Sequence, residues 1–392
     1  MTERGEIYRR LGVEPVVNAN ATMTVLGGSL MRPETLEDMR QASECFVDLI
    51  ELETAVGARI AALTQNDACF VCGGTTAAIF LAAVACMARS VPDGVLRFAE
   101  LPRLPDEVII HRAHRIPYDR AFELARAKLI EIGMPAGTCA TDLELAISER
   151  TAMIFYVTGG GGQVGPGALP LADVLRIAHD RGVPVVVDAA AQIPPVESLW
   201  SFTKAGADLV LFSGGKGLRG PASTGLILGR ADLVAGCRAN SAPLERLGRS
   251  MKVGKEDMIG ILSAVELYLA EDHVATDRFY EEAVAFVFAW GAGRADVEVV
   301  REFPSEAGQP MARARIAFRG PLVRHRDAVA ADLLGGRPRI SVRPAGDDGI
   351  YVNPHTMLPG EVDVIVRRLD EILAARAAAA GSTERRAAGT GS

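Results

Sequence analysis

Two apolar runs, each ending in a chemically specific residue, constrain this chain more than any other feature. Val185–Val187 runs into Asp188, and Leu209–Phe212 runs into SGGKG, a turn of small residues that carries Lys216. Short uninterrupted apolar runs suit strands buried on both faces of a parallel sheet. Such strands present their carboxyl ends at one edge, where open α/β folds place ligands. The runs therefore predict a carboxylate and an amine on one edge. Pyridoxal phosphate uses both, since its aldehyde condenses with a lysine and its ring nitrogen takes an acidic partner.

The rest of the chain reads as alternating strand and helix around that edge. Pro33–Leu63 has helical spacing, and DACFVCGGTTAAIFLAAVACMA reads as a strand, a Gly73–Gly74 break and a helix opened by Thr75 and Thr76. A glycine turn feeding a helix N-terminus offers free N–H groups and the positive end of the dipole, which suits a phosphate. Strands follow at Asp106–Ile110, ending at His111, and at Ala152–Val157, with a helix predicted over Ala121–Ile130 and another over Leu171–Asp180. Leu226–Leu228 is one more strand. This order predicts a mostly parallel sheet with helices on both faces.

Beyond Arg230 comes a basic turn, GRSMKVGKED, and then one or two long amphipathic helices. Strands near 297–300, 312–318, 339–342 and 349–352, with helices at 322–334 and 361–378, predict a smaller α+β unit. We divide the chain into an N-terminal arm (1–30), a large domain (31–255), a small domain (256–380) and an unstructured tail (381–392). In VVNANATMT, Asn18, Asn20, Thr22 and Thr24 alternate at period two, which gives a strand one polar face.

Other features are excluded or left open. At 392 residues, 49% hydrophobic and 23% charged, the chain is a folded globular protein. Its formal charge of -7 argues against general nucleic-acid binding. Six cysteines without framework spacing and no signal-peptide pattern point to the cytoplasm. The longest apolar window, Ala77–Ala88, is too short to span a bilayer. Cys69 and Cys72 form a CxxC without a second pair at zinc spacing and read as buried strand residues. Gly160, Gly162 and Gly165 fit GxGxxG, but Pro166–Gly167 stands where a helix should start, so the stretch reads as a loop over a site. His111 and His114 lack an acidic partner at metal spacing. His111, on the ligand edge, suits stacking on a cofactor ring. No metal is expected.

The chain resembles the SelA-like family of fold-type I pyridoxal-phosphate enzymes, the relatives of L-seryl-tRNA(Sec) selenium transferase that include D-glucosaminate-6-phosphate ammonia-lyase. The resemblance rests on YRRLGVEPVVNANATMTVLGGSLM, CGGTTAAI at 72–79, VPVVVDAAAQIPP at 183–195, DLVLFSGGKGLRGPASTGLILGR at 208–230, RSMKVGKEDMIGIL at 249–262 and IYVNPHTMLPGE at 350–361. It implies a large α/β domain on a mostly parallel seven-stranded sheet, a smaller α+β C-terminal domain, and a homodimer with active sites at its interface. It further implies that Lys216 is the Schiff-base lysine, Asp188 the ring-nitrogen partner and Ala190 a ring-packing residue. Gly74, Thr75 and Ser213 would hold the phosphate. The tRNA-binding domain of the selenium transferases is not expected, nor is a nucleic-acid partner.

The expected activity is a lyase that removes ammonia from a β-hydroxylated amino acid or amino-sugar acid and leaves a 2-oxo acid. Aminotransferase, aldolase, racemase and aminoacyl-tRNA selenium-transferase chemistry are the alternatives, because all share the first covalent step. Arg339 and Arg343 are candidates for the substrate carboxylate, which a guanidinium fork matches bidentately. Arg249, Lys252 and Lys255 are candidates for an anionic tail, and Thr22 for a further substrate contact.

Overall fold

The short apolar runs become strands, and the strands sort into two sheets. The computed structural model describes residues 5–134, 137–159 and 167–389. In chain order its strands are β1 (Val16–Ala19), β2 (Ala68–Cys72), β3 (Glu107–His111), β4 (Lys128–Ile132), β5 (Thr151–Val157), β6 (Val185–Asp188), β7 (Leu209–Ser213), β8 (Gly225–Gly229), β9 (Val297–Glu302), β10 (Arg313–Phe318), β11 (Arg339–Ala345) and β12 (Gly349–Val352). The GxGxxG glycines at 160, 162 and 165 lie outside the described residues.

The larger unit comprises Ser29–Glu271 and Glu306–Gln309. Its seven strands take the order β2-β8-β7-β6-β5-β3-β4. All run in one direction except β8, which pairs antiparallel with both β7 and β2. Both faces are covered, which is why the runs are apolar without alternation. Val185, Val187, Val210 and Phe212 pack on one side with Val174 and Ile177 of the helix Leu171–His179. Val186, Leu209 and Leu211 pack on the other side with the buried helix Thr75–Met87. At the amino ends of the strands, buried Asp208 accepts from the Val185 N–H at 2.8 Å and from Arg230 at 2.6 Å, and it faces His179 at 2.9 Å.

Helix is replaced by strand in one place. The helix expected over Ala121–Ile130 ends at Leu124, and Lys128–Ile132 forms the edge strand β4. Arg126 adopts a left-handed φ of 58°, which stops the helix. Ile130 and Ile132 then pack against the core of one face and Leu129 against that of the other. Tertiary burial wins over the local helix preference of AFELARAK.

The smaller unit ends its first part at Gly28 and resumes over Asp272–Ser305 and from Pro310 onward. Its sheet has the order β1-β11-β12-β10-β9, with β1 parallel to β11. The segment expected as an arm is thus an edge strand, with Ala19 level with Val342 and a further bridge from Asn20 to Asn353. The units divide after Glu271, whereas the change in sequence character had suggested 255. Helix Lys255–Leu269 sends Met258, Ile261, Ala264 and Val265 into the larger unit's core, so the division comes after it. The last helix, Glu361–Gly389, passes through the alanine-rich run 374–380, which favours helix, and continues into the first part of the expected tail; 390–392 lie outside the described residues. Among the described residues, no helix is long and apolar enough to cross a membrane.

Asp208 draws two strands and a helix together while itself out of water. Asp208→Ala should lower unfolding free energy by about 2 kcal/mol in urea titration at pH 7, because the buried Val185 N–H loses its acceptor, while Arg230 is half exposed and keeps Asp232. A loss below about 1 kcal/mol would mean that the network contributes little.

Candidate active site

Lys216 sits in a turn that only small residues can form. A Cβ on Gly214 would lie 1.9 Å from Thr224 Oγ1, on Gly215 2.4 Å from Ala222 Cα, and on Gly217 2.2 Å from the Ile193 carbonyl oxygen. The Gly214 N–H donates to the Thr224 carbonyl at 2.9 Å, the Gly220 N–H to Gly214 at 2.8 Å, and the Arg219 N–H to Lys216 at 3.0 Å. Arg219 closes the turn with a φ of 60°. SGGKG is therefore a packing requirement as well as a sequence pattern.

Asp188 ends β6 one strand away, with Asp188 level with Leu211 of β7. It is 5% exposed, and its Oδ1 accepts from the Ala190 N–H at 3.0 Å. Burial pushes its carboxyl up from the usual range, while the Ala190 bond and the charge of Lys216 pull it down. Burial lowers the Lys216 ammonium, and Asp188 raises it. Each group is held toward neutrality by exclusion from water and toward charge by the other. Thr158, which the sequence did not single out, donates its hydroxyl to the Asp188 carbonyl at 2.9 Å.

The helix N-terminus expected to seat an anion lies on the same edge. Register places Cys72 of β2 and Ser213 of β7 on either side of Gly225 of β8, a row whose middle position carries no side chain. Gly74, with a φ of 91°, caps the helix Thr75–Met87 and leaves that helix's first N–H groups open. Among the described residues, the buried Thr75 hydroxyl has no hydrogen-bond partner. A Cβ on Gly73 would lie 2.9 Å from the Met251 carbonyl oxygen, so the basic stretch 249–255 runs beside the seat. Arg249 and Lys252 are exposed there. Lys255 is committed elsewhere, donating to the Ala42 carbonyl at 2.5 Å and pairing with Glu256.

His111 ends β3 and is fully buried. Its ring lies 5.0 Å from that of His114 and 5.9 Å from Tyr156, edge-on to the latter. Burial lowers both histidines to about 4, so both are neutral at pH 7. Neither His111 nitrogen has a hydrogen-bond partner among the described residues.

The other predicted residues belong to the smaller unit. On β11, Ile340 and Val342 enter the core, which turns Arg339, Ser341 and Arg343 to the opposite face. Arg339 donates to the Leu334 carbonyl at 3.0 Å. Arg343 lies level with Tyr351 of β12, and no described residue bonds to its guanidinium. Thr22 lies just past a bend in which Asn18 donates to the Ala21 carbonyl at 2.9 Å.

The Asp188 charge favours the Lys216 ammonium, so its removal should lower the lysine's pKa further. In cofactor-free Asp188→Asn, acylation of Lys216 followed by peptide mass spectrometry should begin at lower pH than in the parent. A midpoint moved to higher pH would contradict the pairing.

Known proteins resemble the chain along most of its length. The family profile described as L-seryl-tRNA selenium transferase covers residues 17–280. The D-glucosaminate-6-phosphate ammonia lyase of Salmonella typhimurium (strain 14028s / SGSC 2262) is 30% identical over 373 residues, spanning 93% of this chain and 97% of that protein. A 5'-C-glycyluridine monooxygenase-decarboxylase of Streptomyces sp. is 33% identical over 383 residues, spanning 93% and 92%. A solved structure of D-glucosaminate-6-phosphate ammonia-lyase superposes at a TM-score of 0.80 with 29% identity, over 95% of this chain and 98% of that one. The chain belongs to the SelA family, a family of pyridoxal-phosphate-dependent enzymes of fold type I.

Proposed function

We propose that this protein is a pyridoxal-phosphate-dependent ammonia-lyase acting on a β-hydroxylated amino acid of the amino-sugar-acid class. The observation that carries the reading is a buried acid and a desolvated lysine on one sheet edge with an open anion seat. The residues fit the cofactor. Thr75 has a buried hydroxyl in need of a partner, Gly74 exposes helix N–H groups for a phosphate, and Ser213 ends the neighbouring strand. Asp188 would face the ring nitrogen, Ala190 and His111 the ring, and Lys216 the aldehyde. When bound, the cofactor supplies the electron sink that makes the substrate α-carbon acidic.

The chain's own residues would do the rest. Asp188, poorly solvated, keeps its charge opposite a protonated ring nitrogen. Lys216, its amine favoured by desolvation, takes the α-proton at Nζ. Loss of the β-hydroxyl as water and hydrolysis of the resulting enamine, through its imine, give one 2-oxo acid and one ammonia. For the substrate carboxylate we assign Arg343 ahead of Arg339, whose guanidinium is already engaged. Arg249 and Lys252 suit an anionic tail, with Thr22 a further contact. We also propose a homodimer, which would cover the exposed Phe46, Val47 and Ile50. The six free cysteines suit the reducing cytoplasm.

A second reading, oxidative decarboxylation of a glycyl nucleoside, is favoured by the 33% identity to the Streptomyces enzyme. The two separate cleanly in one assay. With D-glucosaminate 6-phosphate the purified holoenzyme should release ammonia and 2-oxo acid in equal amounts without oxygen. Oxygen consumption with 5'-C-glycyluridine and no ammonia from the sugar acid would favour the second reading. Arg343→Ala should lower kcat/KM by roughly 10- to 100-fold, chiefly through KM, while Arg339→Ala changes it less than about threefold. The reverse order would overturn the assignment.

A further inference from the structure

The lysine turn is held from outside by a short segment distant in sequence. Ser29 gives the Gly215 carbonyl two hydrogen bonds, from its N–H at 2.9 Å and from its hydroxyl at 3.0 Å. Arg32 donates to the Leu218 carbonyl at 3.1 Å, and its other terminal nitrogen pairs with Glu271. Arg219 reaches back to the Leu30 carbonyl at 3.0 Å. Segment 29–32 is thus tied to the residue before Lys216 and to the second and third residues after it.

These ties coincide with the places where the chain enters and leaves the larger unit. Ser29 is the first residue of that unit, following Gly27 and Gly28 with left-handed φ of 86° and 79°. Glu271, bound to Arg32, is the last residue before the chain departs. The short return at 306–309 ends on the same turn, because Gln309 donates to the Ile193 carbonyl at 2.7 Å and that oxygen packs against Gly217. A turn fixed only by its own glycines could shift along its backbone. Here the carbonyls on both sides of the lysine are held by outside donors.

We propose that Ser29 and Arg32 are positioning residues for Lys216, clamping the main chain on both sides of it so that its amine keeps one location and stays out of water. The inference rests on the reading of Lys216 as the cofactor lysine. Arg32 suits the task because the two terminal nitrogens of its rigid planar fork hold a carbonyl and a carboxylate in one fixed geometry, which the rotatable lysine ammonium does not fix. Loosening the clamp would let water reach the lysine nitrogen, whether free or joined to the cofactor, and because water favours its protonated form the pKa of that nitrogen would rise.

The test uses purified holoenzyme and the visible band of the lysine-bound cofactor, titrated with pH. Arg32→Ala should raise the midpoint of that titration by about one unit and lower kcat about tenfold with KM little changed. Arg32→Lys should recover part of both effects. Ser29→Ala should shift the midpoint less, in the same direction, and Ser29→Thr should restore it. If Arg32→Ala does not fold, Glu271→Gln and Ser29→Ala carry the test, with circular dichroism and melting temperature as controls. Folded variants whose midpoints stay within about 0.2 unit of the parent overturn the clamp alone. A parent protein without a borohydride-sensitive band on Lys216 overturns the clamp together with the reading beneath it.

Discussion

The structure depends on two ionisable side chains being kept from water beside each other. Asp188 and Lys216 would each be cheaper to fold if exposed, and each is displaced toward its neutral form by burial. Their mutual attraction offsets part of that cost, and a cofactor with a cationic nitrogen and an aldehyde would offset more. Most of the larger unit can be understood as the means of holding them there. Residues alternate along β6 and β7 into two hydrophobic layers, so neither strand can slip by one residue without burying the wrong face. The carboxyl ends of the strands are fixed in consequence.

Glycine does the fine placement. Gly214, Gly215 and Gly217 let the lysine turn pack against Thr224, Ala222 and Ile193 at distances that exclude a Cβ. Gly225 keeps the row between Cys72 and Ser213 clear, and Gly74 supplies the left-handed backbone that starts a helix at the seat. The reversed strand β8 brings β2 and its helix beside β7. A helix N-terminus and a buried lysine thereby share one edge although they are far apart in sequence.

How much of this was legible in the sequence follows from which forces are local. The runs ending at Asp188 and Lys216 declare themselves because strands buried on both faces leave an unbroken apolar record. The glycine break before Thr75 is similarly local. Strand β4 was hidden because AFELARAK has helical composition and only the left-handed Arg126, with burial of Ile130 and Ile132, redirects it. The membership of β1 in the smaller unit was hidden because its partner, β11, lies more than three hundred residues later. The clamp on the lysine turn left no record at all, since its acceptors are main-chain carbonyls and any residue type has one. The ranking of Arg343 over Arg339 required the Leu334 carbonyl to be seen in place.

The central claim is that Lys216 is the residue that binds the cofactor, and chemical trapping addresses it directly. Borohydride reduction of the holoenzyme, followed by proteolysis and mass spectrometry, should bleach the visible band and leave a reduced phosphopyridoxyl adduct on the Lys216 peptide. An adduct on another lysine, or a protein that takes up pyridoxal phosphate without any reducible linkage, would contradict the account.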